Sequence, residues 1–187
     1  MMNVPKIRLA MFDLDGTLFD TEHANFLAYK DACGAEYPLS EKFFHECCMS
    51  RSYKEFLPEL GVDESRLAEI HEKKIKLYSG YFSAIRQNIP LFDIAGLLRG
   101  GGAKLAVVTT ASRTNTMELL RYFNCEDFFD LLVTQETVKN LKPSPDAYLY
   151  AMHHFGVLPE ECVIFEDSDN GVKAAVSSGA AVYRIAS

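Results

Sequence analysis

The 187-residue sequence lacks paired cysteines, an excess of positive charge, a long apolar run and any internal repeat. Its five cysteines, Cys33, Cys47, Cys48, Cys125 and Cys162, are odd in number, scattered and without C-x-x-C spacing. That excludes a disulfide framework or a zinc site as the organising device and suits reduced thiols in a cytoplasm. Lysine and arginine number 19 against 26 aspartates and glutamates, a net charge of −7. This balance argues against a broad footprint for nucleic acid or an anionic membrane. An anionic small molecule remains a candidate ligand, because local charges and a metal outweigh a global field inside a pocket. No stretch approaches the roughly 20 apolar residues of a membrane span. The opening "MMNVPKIRLAMFD" meets Arg8 and Asp13 too early for a signal peptide, so a cytoplasmic protein is expected.

What is present is a rhythm. Five short apolar runs read as strands: "IRLAMFDLD" (7–15), "KLAVVTT" (104–110), "DLLVT" (130–134), "CVIFED" (162–167) and "AAVYRIA" (180–186). Most are continuous rather than alternating, as strands covered on both faces of a parallel sheet should be. Helical segments separate the later four. In "SPDAYLYAMHHFG", Ser144 suits a cap, Pro145 the first turn, Gly156 the stop, and Tyr148, Ala151, Met152 and Phe155 share one face. "TNTMELLRYFN" and "DNGVKAAVSSG" behave alike. The alternation predicts an α/β fold with a doubly wound parallel sheet.

Residues 19–88 break the rhythm, with no good strand candidate and several helical ones. In "DESRLAEIHEKKIKLYSGYF", Leu67, Ile70, Ile75 and Tyr78 fall near one side, and Glu69 with Lys73 or Glu72 with Lys76 stand four apart. The expected organisation is an α/β core of residues 1–18 and 89–187 with a small all-α domain, 19–88, inserted after the first strand.

In open α/β sheets, ligands bind beyond the carboxyl ends of the strands. Those ends carry Asp13 and Asp15, then Thr109 and Thr110, then Glu166 and Asp167, with Lys142 arriving from the loop after the third strand. Residues two apart on an extended chain point the same way, so Asp13 and Asp15 are expected to address one point. Their repulsion calls for a hard divalent cation, and an all-oxygen set of Asp13, Asp167, a backbone carbonyl and waters suits Mg²⁺. Gly16 frees the backbone to turn, and Thr17 adds a hydroxyl. A metal and a lysine to neutralise oxygens, a hydroxyl to orient them, a carboxylate nucleophile and a second acid are the parts that phosphoryl transfer requires.

"DLDGTLFD", "VVTTAS", "LKPSPDAY" and "FEDSDNGVKAA", in this order, resemble the four motifs of the haloacid dehalogenase (HAD) superfamily, over residues 7 to about 185. The chain is most similar to the β-phosphoglucomutase and phosphoglycolate phosphatase branch, whose helical cap lies between the first and second motifs. The resemblance implies a Rossmann-like core, Asp13 as nucleophile, Asp15 as general acid/base, Thr109 as phosphate ligand and Lys142 as charge stabiliser. It implies Asp167 as metal ligand, Asp15 offering its carbonyl to the metal, and Glu166 acting on the metal's waters. Dehalogenating members lack the second aspartate, so Asp15 points to phosphate chemistry. In the mutase a cap histidine aligns with Asn25, which weakens a mutase reading. His23 stands two places earlier. "MSRSYKEF" resembles the cap segment whose arginine meets a far phosphate, making Arg51 a specificity candidate; Thr110, Arg51 and Asn25 are the candidate substrate-binding residues.

Other features have plainer readings. "FFHECCM" (43–49) reads as a half-buried helix face rather than a metal cluster. Phe19, Phe43, Phe44, Tyr53 and Phe56 read as the core of the helical insertion, and His153 with His154 as structural or exposed. The expected function is a Mg²⁺-dependent phosphatase of a small phosphorylated metabolite, sugar phosphates among the candidates. Its expected partner is a small-molecule phosphate ester, with no nucleic acid and no membrane, on a monomer or weak homo-oligomer. Two rivals share the core: a phosphomutase, and a catalytically quiet binding or regulatory protein.

Overall fold

The computed structural model describes residues 6–48 and 51–186. Its contacts divide the chain into two compact units, Met1–Asp20 with Gln87–Ser187, and Thr21–Arg86.

The first unit begins with β1 (Leu9–Phe12) and β2 (Phe19–Asp20). The second unit holds α1 (Glu22–Cys33), α2 (Glu41–Phe43), α3 (Tyr53–Phe56) and α4 (Leu67–Tyr78). The chain returns through β3 (Arg86–Gln87) and then alternates: α5 (Ile89–Gly100), β4 (Lys104–Val108), α6 (Arg113–Tyr122), β5 (Leu131–Val133), α7 (Asp146–Phe155), β6 (Cys162–Glu166), α8 (Asp169–Ser177) and β7 (Ala181–Arg184). Five strands form one sheet in the order β5-β4-β1-β6-β7, and every pair is parallel. Numbered by their own succession these strands run 3-2-1-4-5, the order of a Rossmann-type sheet, which reverses between β1 and β6.

Burial explains why these runs became strands. β1 is buried at every position, as are β6 and all of β4 after Lys104. Each therefore needs cover on both faces, and alternate residues divide between them. Leu9, Met11, Ala106, Val108, Cys162 and Ile164 face Tyr148, Ala151 and Met152 of α7 and Ala174 and Ala175 of α8. On the other parity, Phe12 stacks on Phe165 at 4.9 Å and meets the edge of Phe129, which in turn packs on Phe92 of α5. Fully burying each such side chain contributes about 1.5–3 kcal/mol.

Helices start where side chains cap them: Asn88 accepts from Leu91 N, Ser112 from Asn115 N and Ser168 from Gly171 N. Helix α7 begins one residue later than its sequence suggests. Pro145 occupies the cap position, and Ser144 instead bonds the Asp146 carboxylate and accepts from Asp146 N.

Several other expectations are corrected. The first strand ends at Phe12 rather than residue 15, because Asp13–Leu18 turn back, with Leu18 N and Phe19 N both donating to Leu14 O. The span 19–88 does carry strands, the two-residue β2 and β3, which pair with each other. Phe19 packs on Phe92 and Phe123 of the α/β unit rather than in the helical unit. The other four aromatics do sit in the helical core, Phe44 and Phe56 buried beside Phe26 and Tyr29, with Phe43 and Tyr53 packed against them. On α4, Lys74 is buried rather than Ile75, its ammonium 4.3 Å from the Tyr78 ring centroid. Glu69 pairs with Arg66, three residues back, while Lys73 donates to Ala32 O. Residues Phe44–Cys48 form a π-helical turn with Phe44 and Cys48 buried; Met49 lies outside the described residues. Among the described residues no helix is long and apolar enough to cross a membrane.

Candidate active site

The register of β1 against β6 builds the centre of the site. Leu9 stands opposite Cys162 and Met11 opposite Ile164. Asp13 N extends the ladder by donating to Phe165 O at 3.0 Å. Two residues further on the same face, Asp13 therefore comes beside Glu166, at the point where the strand order reverses. Two carboxylates on neighbouring parallel strands, roughly 4.8 Å apart by backbone spacing, repel unless a cation joins them.

Lys142 is that cation. Its Nζ donates to Asp13 Oδ1 at 2.6 Å, to Glu166 Oε1 at 2.5 Å and to Val108 O at 2.9 Å, with only 5 % of its side chain exposed. Burial alone would push this ammonium towards neutrality. The charges of Asp13 and Glu166 outweigh it and hold Lys142 above its ordinary value. Glu166, wholly buried, accepts from four donors: Lys142 and the Tyr148 hydroxyl on Oε1, Ser168 N and Ser168 Oγ on Oε2.

Asp167 completes the acidic group. Its Oδ1 accepts from Thr17 Oγ1 at 2.8 Å, and one carboxylate oxygen each from Asp13, Glu166 and Asp167 lie within 4.8 Å of one another. Burial, with Glu166 and Asp15 adding repulsion, raises the Asp13 carboxyl well above the usual carboxylate range despite Lys142. Burial and then Glu166 likewise raise Asp167. One lysine against three clustered carboxylates leaves a negative excess in a poorly solvated place. A hard divalent cation with oxygen ligands fits that deficit, and the donor set suits Mg²⁺.

Two glycines make room. Gly16 has φ +81°, and a Cβ there would stand 2.2 Å from Asp167 Oδ2. A Cβ on Gly171 would stand 1.8 Å from Glu166 Oε1.

The remaining expected residues divide in two. Thr109 is buried just beyond β4, its backbone N bonded to Val133 O and its Oγ1 accepting from Ala111 N, ahead of the α6 N-terminus. Thr110 follows it and is exposed, and Asp15 lies in the turn after β1 as a half-buried residue. Asn25 and Arg51 belong to the helical unit. There Asn25 Nδ2 donates to Thr21 O, and Arg51 bonds Cys47 O at 2.7 Å and Glu59 Oε1 at 2.6 Å. His23 pairs with Glu41. Ser50, next to Arg51, lies outside the described residues. Tyr148 and Ser168 are the neighbours that sequence reasoning did not place at the site; a tyrosine on a core-facing helix stripe was the available signal for the first.

The sequence profile of the haloacid dehalogenase-like hydrolases matches residues 10–185. The chain belongs to that family. Among its relatives, the phosphorylated carbohydrates phosphatase of Thermotoga maritima is 32% identical over 176 residues, covering 90% of this chain and 80% of that protein. The fructose-1-phosphate phosphatase YqaB of Escherichia coli is 29% identical over 173 residues, covering 90% of this chain and 91% of its own. The crystal structure of CbbY from Rhodobacter sphaeroides in complex with phosphate superposes with a TM-score of 0.84 at 27% identity, over 97% of this chain and 87% of CbbY. This haloacid dehalogenase-like protein is thus a hydrolase with a Rossmann-like core, similar to phosphatases along nearly its whole length.

Proposed function

We propose that this hydrolase is a Mg²⁺-dependent phosphatase of small phosphorylated metabolites, sugar phosphates foremost, working through an aspartyl-phosphate on Asp13. The observation that carries this is the buried Asp13–Lys142–Glu166 set at the sheet's reversal point, with Asp167 beside it. The phosphatase and carbohydrate names of the Thermotoga maritima and Escherichia coli relatives support the substrate class.

Asp13 and Asp167, with Asp15 and Glu166 beside them, would hold Mg²⁺, which when bound neutralises phosphoryl oxygens. An Asp13 carboxylate oxygen attacks phosphorus while the bond to the leaving oxygen breaks, and Asp15 gives that oxygen its proton. Asp15 then accepts a proton from water, whose oxygen attacks the phosphorus. The bond to Asp13 breaks, releasing inorganic phosphate and restoring both aspartates. Lys142 offsets charge at the nonbridging oxygens. The hydroxyl of Thr109, already accepting from Ala111 N, still has its own proton to donate, and Thr110 follows it. Residues 19–88 act as the cap that selects the leaving group, with Arg51 and Asn25 its candidate contacts, in a cytoplasmic monomer or weak homo-oligomer.

A screen of phosphorylated metabolites with Mg²⁺, read as inorganic phosphate release, tests this. The expected result is hydrolysis of one or a few sugar phosphates, lost on chelation and reduced at least about 1,000-fold in Asp13→Asn. Hexose phosphate interconversion without phosphate release would establish a mutase instead. Full turnover by Asp13→Asn would overturn the aspartyl-phosphate.

A further inference from the structure

Tyr148 is the largest fully buried side chain among the described residues and projects from α7 into the layer beneath the site. Phenylalanine would fill such a position without polar cost, whereas a buried hydroxyl must find a partner or pay for its lost water. Here the hydroxyl donates to Glu166 Oε1 at 3.2 Å, and the ring stands 5.2 Å from Lys142 Nζ. One side chain therefore touches both members of the ion pair that stands behind Asp13.

The proton count around Lys142 gives this contact a consequence. An ammonium has three donors, and all three are taken, by Asp13 Oδ1, Val108 O and Glu166 Oε1. To meet a phosphoryl oxygen at Asp13, the lysine must exchange one of them. The Asp13 bond is the one at the reacting atom, so the Val108 and Glu166 bonds have to hold the flexible stem meanwhile. Glu166 can do so only if its carboxylate stays put. Ser168 N and Oγ fix Oε2, and the Tyr148 hydroxyl adds a second donor on Oε1, the oxygen that holds the lysine.

We propose that Tyr148 is a positioning residue for phosphoryl transfer: its hydroxyl pins the Glu166 carboxylate and its ring walls the Lys142 ammonium, so that the lysine is held at Asp13. The role rests on the phosphatase function proposed above. Its test compares Tyr148→Phe, which keeps the ring and deletes only the donor, with Tyr148→Leu, which deletes both. With an aryl phosphate and Mg²⁺, the phenylalanine variant should lose about ten-fold in kcat with KM within about two-fold, and the leucine variant about a hundred-fold. Thermal unfolding of Tyr148→Phe should stay close to that of the parent. The ¹⁵N signal of the Lys142 ammonium should be resolved in the parent and broadened by solvent exchange in the phenylalanine variant. A parent that turns over substrate while Tyr148→Phe matches its kcat overturns this role alone. So does a fall in kcat with an unaltered ammonium signal, since the loss then does not run through Lys142. A parent that hydrolyses no phosphate ester overturns the phosphatase function, and this role with it, before any variant is made.

Discussion

Asp13 and Glu166 stand side by side across the β1–β6 pair, two residues beyond Met11 and Ile164, which face one another in register. Lys142 lies between them, 2.6 Å from one carboxylate and 2.5 Å from the other. Each member is costly to bury alone, and the three are tolerable only together.

Removing the lysine should therefore destabilise the protein even before any reaction is considered. Lys142→Met leaves two buried carboxylates facing each other, and breaking a buried pair this way costs about 3–5 kcal/mol. Part of that is recovered in the double variant Lys142→Met with Glu166→Gln, where one of the stranded charges is gone. Urea unfolding in Mg²⁺-free buffer checks both, and a Lys142→Met protein as stable as the parent would refute the account.

The same negative excess predicts that Mg²⁺ stabilises the fold in the absence of substrate. A ligand bound only to the folded state adds about 2.7 kcal/mol at one hundred times its Kd. The parent's thermal midpoint should rise on Mg²⁺ addition and fall back with chelator. Asp167→Asn, which removes one charge of the Asp13–Glu166–Asp167 cluster, should show a clearly smaller rise. Equal rises in the two proteins would place the ion elsewhere.

The glycines separate backbone strain from site crowding. Gly16 and Gly61 have nearly the same φ, +81° and +83°, but a Cβ at Gly61 meets nothing within 4 Å, while one at Gly16 stands 2.2 Å from Asp167 Oδ2. Gly61→Ala should cost about 1–2 kcal/mol from its left-handed backbone alone. Gly16→Ala should cost about 1–3 kcal/mol more and should weaken Mg²⁺-dependent turnover, which Gly61→Ala leaves intact. Comparable stability and activity in the two variants would show that the Asp167 contact is inconsequential.

Much of this site was legible in the sequence, because strand ends are local features. Apolar runs marked β1, β4, β5, β6 and β7, and the polar residues at their ends, Asp13, Thr109, Glu166 and Asp167, with Lys142 from the loop after β5, needed only the rule that open sheets bind ligands there. Partnership across strands was less accessible. Asp13 and Asp15 were expected to address one point from an extended chain; Asp15 does add repulsion at Asp13, but from a turn, since β1 ends at Phe12, and the cross-strand neighbour of Asp13 is Glu166. That register joins residues some 150 positions apart, and periodicity within either strand does not report it. Tyr148 was legible as a core residue and not as a partner of Glu166, because a helix stripe shows burial and not which polar group waits underneath. Lys74 was hidden for a related reason: periodicity counts it as polar, while its ammonium lies against the rings of Tyr29 and Tyr78.

The helical unit should weaken in acid through His71. Its Nδ1 lies 2.8 Å from the Tyr29 hydroxyl, and the Tyr53 ring stacks on it at 4.0 Å between centroids. Burial first, and the nearby Lys74 charge second, lower its pKa to about 4. The unfolded chain takes up this proton near pH 6.5, so from there down to about pH 4 it binds a proton that the folded protein refuses. The stability tied to neutral His71 is complete above about pH 6.5 and is lost as the pH falls through that window. His71→Gln can keep an acceptor for Tyr29 without a group that titrates there. Urea unfolding of parent and variant at pH 7 and pH 4.5 should show a smaller loss of stability in the variant. Identical losses would mean that the acid sensitivity arises from other groups, and that His71 takes up its proton equally in the folded and unfolded chains.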